Sequence, residues 1–266
     1  MFHTGKRFYL HSFKVPLAIM KKMTFVALGV LFLTVLVYLW YAHASIYWKL
    51  GDLPIFAPKD YQSYYLGEHT KTSLTYVAIG DSLTAGVGVD SYTQSYPYLI
   101  ANSIVQNQKT EVTLIPFAIP GIRSEYVVGY FLDSVIKEEP DIITILIGTN
   151  DIHGNVSASK FKEHYEIILR TLTEKTDAKI YAINLPYIGT KNLILQPYRY
   201  YLDLRTREYN TIIKDLAGQY TVTYVDLYSA HKPQALDDTY YARDFFHPNT
   251  VGYTLWAQTI YANFHW

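Results

Sequence analysis

The chain contains no cysteine. That excludes disulfides, thiolate metal sites and a cysteine nucleophile, and it leaves the redox compartment open, because a cysteine-free domain suits either environment. The first 50 residues contain no Asp or Glu and six basic side chains: Lys6, Arg7, Lys14, Lys21, Lys22 and Lys49. Basic and acidic residues balance at 23 each over the whole chain, so the remainder is acidic by six. A mildly acidic globular portion lacks the basic face that phosphate neutralisation demands, which argues against nucleic-acid binding. Several catalytic motifs are missing as well. There is no His-Glu-x-x-His, and His153, His164 and His231 are scattered, so no catalytic metal is expected. Gly86-Val87-Gly88 is followed by no Gly-Lys-Ser/Thr and belongs to no G-x-G-x-x-G, which removes a phosphate loop. Ser82 is not set in G-x-S-x-G, which argues against the α/β-hydrolase elbow. Nothing calls for a cofactor.

What is present suits one buried domain with an appendage, for 266 residues of which half are apolar. Residues 23–42 (MTFVALGVLFLTVLVYLWYA) carry no charge. As a helix rising 1.5 Å per residue they span about 30 Å, the hydrocarbon thickness of a bilayer. Tyr38, Trp40, Tyr41 and Trp48 collect at one end, where aromatic rings favour the membrane interface. Lys14, Lys21 and Lys22 flank the other end, so the positive-inside rule places the N-terminus in the cytoplasm and the rest outside. The competing reading is a cleaved signal peptide, with Ala42-His43-Ala44 as a small-x-small site; secretion would then replace anchoring. The length of the apolar run and of the segment before it favours an anchor. The expected organisation is a basic segment 1–22, an anchor 23–42, a stalk 43–72 broken by Gly51, Pro54 and Pro58, and a domain 73–266.

Within that domain, short β-branched runs alternate with helical patterns. Strands are expected at 74–79, 112–117, 142–147, 179–184 and 222–226, all nearly continuous apolar runs as in strands covered on both faces. Helices are expected near 95–107, 125–138, 158–175, 201–218 and 250–263. Phe161, Tyr165, Ile168, Leu169 and Leu172 share one face of the third, and Val251, Leu255, Trp256 and Ile260 one face of the last. Such alternation predicts a parallel sheet between two helical layers, with ligands at the carboxyl ends of the strands. The 27 tyrosines are read as amphipathic packing at helix surfaces. The group at Tyr198, Tyr200 and Tyr201, in the long connection 186–203, also suggests a sugar or acyl platform.

The chemistry-bearing residues fall at those strand ends. Ala78-Ile79-Gly80-Asp81-Ser82-Leu83-Thr84-Ala85-Gly86 places a serine just past a buried strand, with Gly80 and Gly86 permitting a sharp turn and close approach to a substrate. Gly148-Thr149-Asn150-Asp151 follows the 142–147 run, and Asn150 can offer a side-chain amide to an oxyanion. Pro120-Gly121 follows the 112–117 run, where only Gly121 has a backbone N–H to donate. Asp244-Phe245-Phe246-His247-Pro248 precedes the last helix. A serine hydroxyl needs a base, usually histidine, and the histidine needs a carboxylate to fix its tautomer. His153 is a further candidate to line the site, and Asn155-Val156-Ser157 fits a glycosylation sequon that matters only in a eukaryotic secretory pathway.

Taken together, the four blocks resemble the SGNH or GDSL hydrolase family over roughly residues 73–266, with Ser82, Gly121, Asn150 and His247 as counterparts of its signature residues. Pro120, Ile122 and Arg123 depart from the family's usual neighbours of the glycine. The resemblance implies a flavodoxin-like three-layer α/β/α fold with a parallel five-stranded sheet. It implies Ser82 as nucleophile, His247 as base and then acid, and Asp244 as its orienting partner. Ser82 and Gly121 backbone N–H groups and the Asn150 side chain would form the oxyanion hole. The substrates implied are carboxylic esters: lipid acyl esters, lysophospholipids, thioesters or O-acetylated glycans. A base must be unprotonated to act, so kcat/KM is expected to rise with pH. A non-catalytic envelope-binding module on the same fold is the alternative. A phosphodiester hydrolase would require metal ligands that the sequence does not offer.

Overall fold

Branched apolar side chains on both faces of a strand require cover on both sides of the sheet. In the computed structural model, which describes residues 16–51, 62–67, 72–187 and 190–266, the strand β4 (Ile142–Leu146) has all five side chains buried. It lies near the middle of a six-stranded sheet with β1 (Tyr64–Leu66), β2 (Ser73–Gly80), β3 (Glu111–Ala118), β5 (Lys179–Ile183) and β6 (Thr223–Val225). The order is β1-β3-β2-β4-β5-β6. Strands β2 to β6 are parallel, and β1 runs antiparallel to β3, pairing Tyr64 with Leu114 and Leu66 with Val112. The expectation of five parallel strands is therefore corrected to a mixed sheet of six. The extra strand comes from the stretch assigned to the stalk: three residues are too few to show a period of two, and pairing against the β3 edge is what makes them a strand.

Helices α2 (Tyr96–Gln108) and α9 (Thr250–Tyr261) pack together over one side of the sheet. On the other side lie α4 (Leu132–Lys137), α6 (Ala158–Lys175) and α7 (Tyr198–Gln219). A single turn, α3 (Ser124–Tyr126), leads through a π-helical stretch, Val127–Phe131, into α4, so the helix expected near 125–138 is wound unevenly. Short helices α5 (Thr149–His153) and α8 (Leu227–His231) were not expected from pattern, being too brief to carry one. Helix starts follow local chemistry: Ser157 Oγ accepts from the Lys160 N–H, and Asn249 Oδ1 from the N–H groups of Val251 and Gly252. The buried face expected on α6 is present in full. On α9 it is rotated: Gly252, Tyr253, Trp256, Ala257 and Ile260 are buried, and Val251 is exposed.

Tyrosine proves to be a core residue. Tyr76, Tyr92, Tyr96, Tyr165, Tyr181, Tyr209 and Tyr253 are all but inaccessible. Burying a phenol is tolerable when its hydroxyl finds a partner. Tyr76 Oη pairs with Thr144 at 2.9 Å, Tyr96 Oη with Thr84 at 2.8 Å, and Tyr253 Oη donates to the Val87 carbonyl at 2.8 Å. The last two bonds tie the loop after β2 to both helices above it.

Helix α1 (Leu17–Gly51) is longer than the 23–42 run, and most of its apolar side chains are exposed. Lys6, Arg7, Lys14, Pro54 and Pro58 lie outside the described residues.

His231 is buried beside Trp256 and Tyr241, with ring centroids at 5.3 and 5.9 Å, and neither ring nitrogen has a hydrogen-bond partner among the described residues. Burial pushes its imidazole down from 6.5 to about 4. Below its ordinary pKa the unfolded chain takes up a proton there that the folded chain refuses, so stability present above pH 6.5 is lost as the pH falls towards 4. Between pH 7 and pH 5 the chain should lose about 2 kcal/mol more than His231→Phe does. Urea unfolding of both at the two pH values checks this; equal losses would remove His231 from the acid response.

Candidate active site

Register gathers the site. Gly80 pairs with Ala118 on one side and Leu146 on the other, so β2, β3 and β4 end in one row. The β2/β4 boundary is where successive crossovers leave in opposite directions, the usual place for a ligand crevice in an open α/β sheet. Ser82, Gly121 and Asn150 each lie two to four residues past that row. A Cβ on Gly80 would come within 2.5 Å of the Leu146 carbonyl oxygen, so this glycine serves close packing of β2 on β4.

After Gly80 the chain coils tightly. The Ala85 N–H donates to the Asp81 carbonyl at 2.9 Å, the Val87 N–H to the Ser82 carbonyl at 3.0 Å, and the Leu83 N–H to Asp81 Oδ1 at 3.0 Å. Ser82 is 8% exposed, enough to be reached. Its Oγ lies 3.0 Å from His247 Nε2, and His247 Nδ1 lies 2.6 Å from Asp244 Oδ2. The nucleophile, base and carboxylate expected from the sequence thus stand in one line, although 165 residues separate the first two.

The Asp-x-x-His loop is self-contained. Tyr241 and Pro248 form an isolated antiparallel bridge, the Ala242 N–H donates to the His247 carbonyl at 2.8 Å, and Phe245 turns the chain at φ +54°. Asp244 Oδ1 accepts from the Phe246 and His247 N–H groups, both at 2.9 Å, leaving Oδ2 for the ring. Burial raises the Asp244 carboxyl, but the His247 bond and charge and the two amides outweigh it and hold the group below its ordinary value. The loop seats on Gly88, whose φ is +106° and whose added Cβ would meet the Pro248 carbonyl oxygen at 2.3 Å and His247 Cβ at 3.0 Å. Only glycine lets the two loops approach so closely.

Asn150, in the first turn of α5, donates through Nδ2 to Asp81 Oδ2 at 3.0 Å. Burial pushes the Asp81 carboxyl up to about 7, against the opposing pull of the Leu83 amide, His247 and Asn150. Gly121 lies in the exposed turn after β3 with φ +85°. Three residues on, Ser124 offers its N–H to Asp151 Oδ2 at 2.9 Å and its hydroxyl to Asp151 Oδ1 at 2.5 Å, with His164 Nδ1 3.0 Å from the same hydroxyl. Burial raises the Asp151 carboxyl, and the two Ser124 bonds oppose it. Asp151 therefore ties the Gly121 turn to the helix that carries Asn150. Sequence reading passed over Asp81, Asp151, Ser124 and His164 in these roles. The available signal was that both acids adjoin singled-out residues in apolar surroundings, where an ionisable group must have partners. His153 packs on Phe246 at 5.3 Å between ring centroids, next to His247. Two clefts of about 420 and 570 Å³ open at the opposite edge of the sheet, around Lys179 and Trp266, away from this chemistry. Among the described residues, no group of His, Cys, Asp and Glu has the makings of a metal site.

A serine, histidine and aspartate in line at the carboxyl edge of a flavodoxin-like sheet, beside an amide-bearing Asn, invite comparison with known proteins. The model of the GDSL-like lipase/acylhydrolase family matches residues 78–255. The chain belongs to this family. It is a carboxylic ester hydrolase. The spore germination lipase LipC of Bacillus licheniformis is 23% identical over 207 residues, covering 71% of this chain and 96% of that protein. A GDSL-like esterase of Mycobacterium tuberculosis is 27% identical over 187 residues, 68% of this chain and 59% of that one. The crystal structure of a lipase/acylhydrolase from Enterococcus faecalis superposes with a TM-score of 0.59 at 26% identity, covering 71% of this chain and 94% of the other. A GDSL-like lipase structure from Parabacteroides merdae, at 16% identity and a TM-score of 0.62, shares the fold. In this GDSL chain the family match begins inside β2 and ends within α9, so α1 and β1 lie outside it.

Proposed function

We propose that the chain is a membrane-anchored, extracytoplasmic esterase that works through an acyl-enzyme on Ser82. The observation that carries the catalytic part is the unbroken contact from Ser82 Oγ through His247 to Asp244. His247 Nε2 takes the hydroxyl proton as Oγ bonds to the ester carbonyl carbon. The tetrahedral oxyanion is held by the backbone N–H groups of Ser82 and Gly121 and by Asn150 Nδ2. An amide nitrogen carries two hydrogens; Asp81 takes one and thereby aims the other. His247 then passes its proton to the leaving alcohol as the C–O bond breaks, leaving Ser82 acylated. Water, deprotonated by His247, attacks the acyl carbon and releases the acid and free Ser82. Asp244 keeps the imidazole in the tautomer this exchange requires.

A fluorophosphonate probe tests this reading, since it reacts with activated serines. Covalent labelling should map to Ser82 by mass spectrometry. Absence of labelling on folded protein would favour a binding module instead. Asn150→Ala should lower kcat at least about a hundredfold while the fold is kept, because one lost oxyanion donor costs about 3–4 kcal/mol of transition-state stabilisation. An unchanged kcat would remove Asn150 from the oxyanion hole.

The anchored part rests on α1. Its stretch Leu17–Ile46 is long and apolar enough to cross a bilayer, and it is exposed. The stretch is longer than the apolar core of a signal peptide, which supports retention rather than cleavage. With Lys21 and Lys22 at its inner end, the hydrolase domain would lie outside the cytoplasm. The substrates would be small-molecule, lipid or glycan esters of the envelope.

A further inference from the structure

Among the described residues, helix α1 makes specific contact with the catalytic domain around Gln196 and Tyr198. Tyr38 Oη donates to the Gln196 carbonyl at 2.8 Å, and the ring centroids of His43 and Tyr198 are 5.7 Å apart. Ala42 and Ser45 are buried on a helix that is otherwise largely exposed. Spacings of four and three put Tyr38, Ala42 and Ser45 on one stripe. Tyr38 lies one turn, about 6 Å, inside the outer end of the uncharged 23–42 run, at the inner margin of the aromatic group that Trp40, Tyr41 and Trp48 continue outward towards the headgroups. The contacts put Gln196 at the level of Tyr38 and Tyr198 at that of His43, just past the end of the run.

From Gln196 the chain leads back to the catalytic loop. Thr190 Oγ1 donates to the Phe245 carbonyl at 2.8 Å, two residues from His247. Six residues can reach no further than about 20 Å, and Leu193 and Ile194 are buried between the two ends. Beyond Gln196 comes α7, whose first turns expose Tyr200 (58%), Tyr201 (48%) and Leu204 (42%) on one side. Residues 198–205 contain one acidic side chain, Asp203, and it is turned inward to Tyr228 Oη, Arg207 and Lys232. The exposed face is thus tyrosine and leucine with Arg199 beside it and no outward carboxylate, which suits the headgroup layer of an anionic bilayer.

We propose that the carboxyl edge of the sheet rests on the bilayer that α1 enters, with Tyr200, Tyr201 and Leu204 in the interfacial layer, so that the ester presented to Ser82 is carried by a membrane lipid. This rests on the anchored reading above and adds an orientation to it. A domain on a free stalk would meet soluble and membrane esters alike; one held by the 190–198 strap meets the bilayer first.

The cysteine-free sequence allows single reporters without background. The full chain, in phosphatidylcholine–phosphatidylglycerol vesicles, is labelled with an environment-sensitive fluorophore at Leu31→Cys on α1, Tyr200→Cys on the proposed face, or Lys175→Cys at the opposite edge of the sheet. Lipids carrying a nitroxide near the headgroup should quench the Tyr200 site roughly threefold more than the Lys175 site, and a nitroxide deep in the acyl region should quench the Leu31 site. A Tyr200 site quenched no more than Lys175, with Leu31 still reporting the bilayer core, would leave the anchor standing and overturn the docked orientation. A Tyr200 site shielded from water yet insensitive to lipid nitroxides would mean that a second copy or another protein covers the face, and would also overturn it. A Leu31 site unaffected by lipid nitroxides would remove the anchor and the proposal together.

Discussion

Ser82→Ala should lower kcat/KM for p-nitrophenyl butyrate at least about 10⁴-fold, because removal of the nucleophile from a serine hydrolase leaves only the oxyanion donors and substrate binding. The effect should be this large because in the proposed mechanism Oγ forms and breaks the acyl bond, and no other side chain is seen within hydrogen-bond reach of His247 Nε2 among the described residues. Stability should hardly change. The substitution removes one hydroxyl whose side-chain partner is His247, while the coil around it is held by backbone bonds from Ala85 and Val87 and by the Leu83 amide on Asp81. Circular dichroism and thermal melting of the variant beside the parent separate loss of chemistry from loss of fold. Turnover within roughly tenfold of the parent would show that the acyl group is carried elsewhere.

The second large effect is expected from Asp244→Asn, at about 10³–10⁴-fold in kcat. Its cause is a conflict of donors. Asp244 Oδ1 faces two backbone N–H groups, so the single oxygen of an Asn would be drawn to that side. The NH₂ group would then face His247 Nδ1, which could only accept. The ring proton would move to Nε2, and Nε2 could no longer take the proton from Ser82. Size and fold would be conserved while the base acts in the wrong tautomer. Single-turnover kinetics with p-nitrophenyl acetate should show slow acylation rather than slow deacylation alone. A kcat within a factor of about three of the parent would mean that His247 is oriented by something else.

Much of this site was legible because its parts are local. Asp244 and His247 are three residues apart, and their turn is closed by bonds within residues 241–248, so the Asp-x-x-His spacing carried nearly all the geometry. The serine and the asparagine were legible because each follows an apolar run long enough to be a buried strand. Gly121 was harder to read: an exposed turn at positive φ gives the sequence little to distinguish it from any other Pro-Gly turn. Asp81 and Asp151 were missed because an acid in a loop has an ordinary solvated reading. Only the folded structure shows that one is nearly inaccessible and the other completely so, with Asn150 and Ser124 as partners.

The sequence by itself determined the class of layers, the serine, histidine and aspartate that the fold brings into line, and the long apolar helix near the N-terminus. Those are properties of runs, spacings and side-chain types, which exist before any long-range contact forms. Tertiary structure alone decided the rest. It recruited Tyr64–Leu66 as an antiparallel edge strand and rotated the buried face of α9 so that Tyr253, rather than Val251, points inward. It also turned tyrosines into core residues and set the strap at 190–198 between Phe245 and Tyr38. The physical reason is that such choices depend on which surface arrives opposite. A three-residue strand pairs only if an edge is free, and a phenol is buried most cheaply where a threonine or carbonyl is waiting for its hydroxyl, as for Tyr76, Tyr96 and Tyr253.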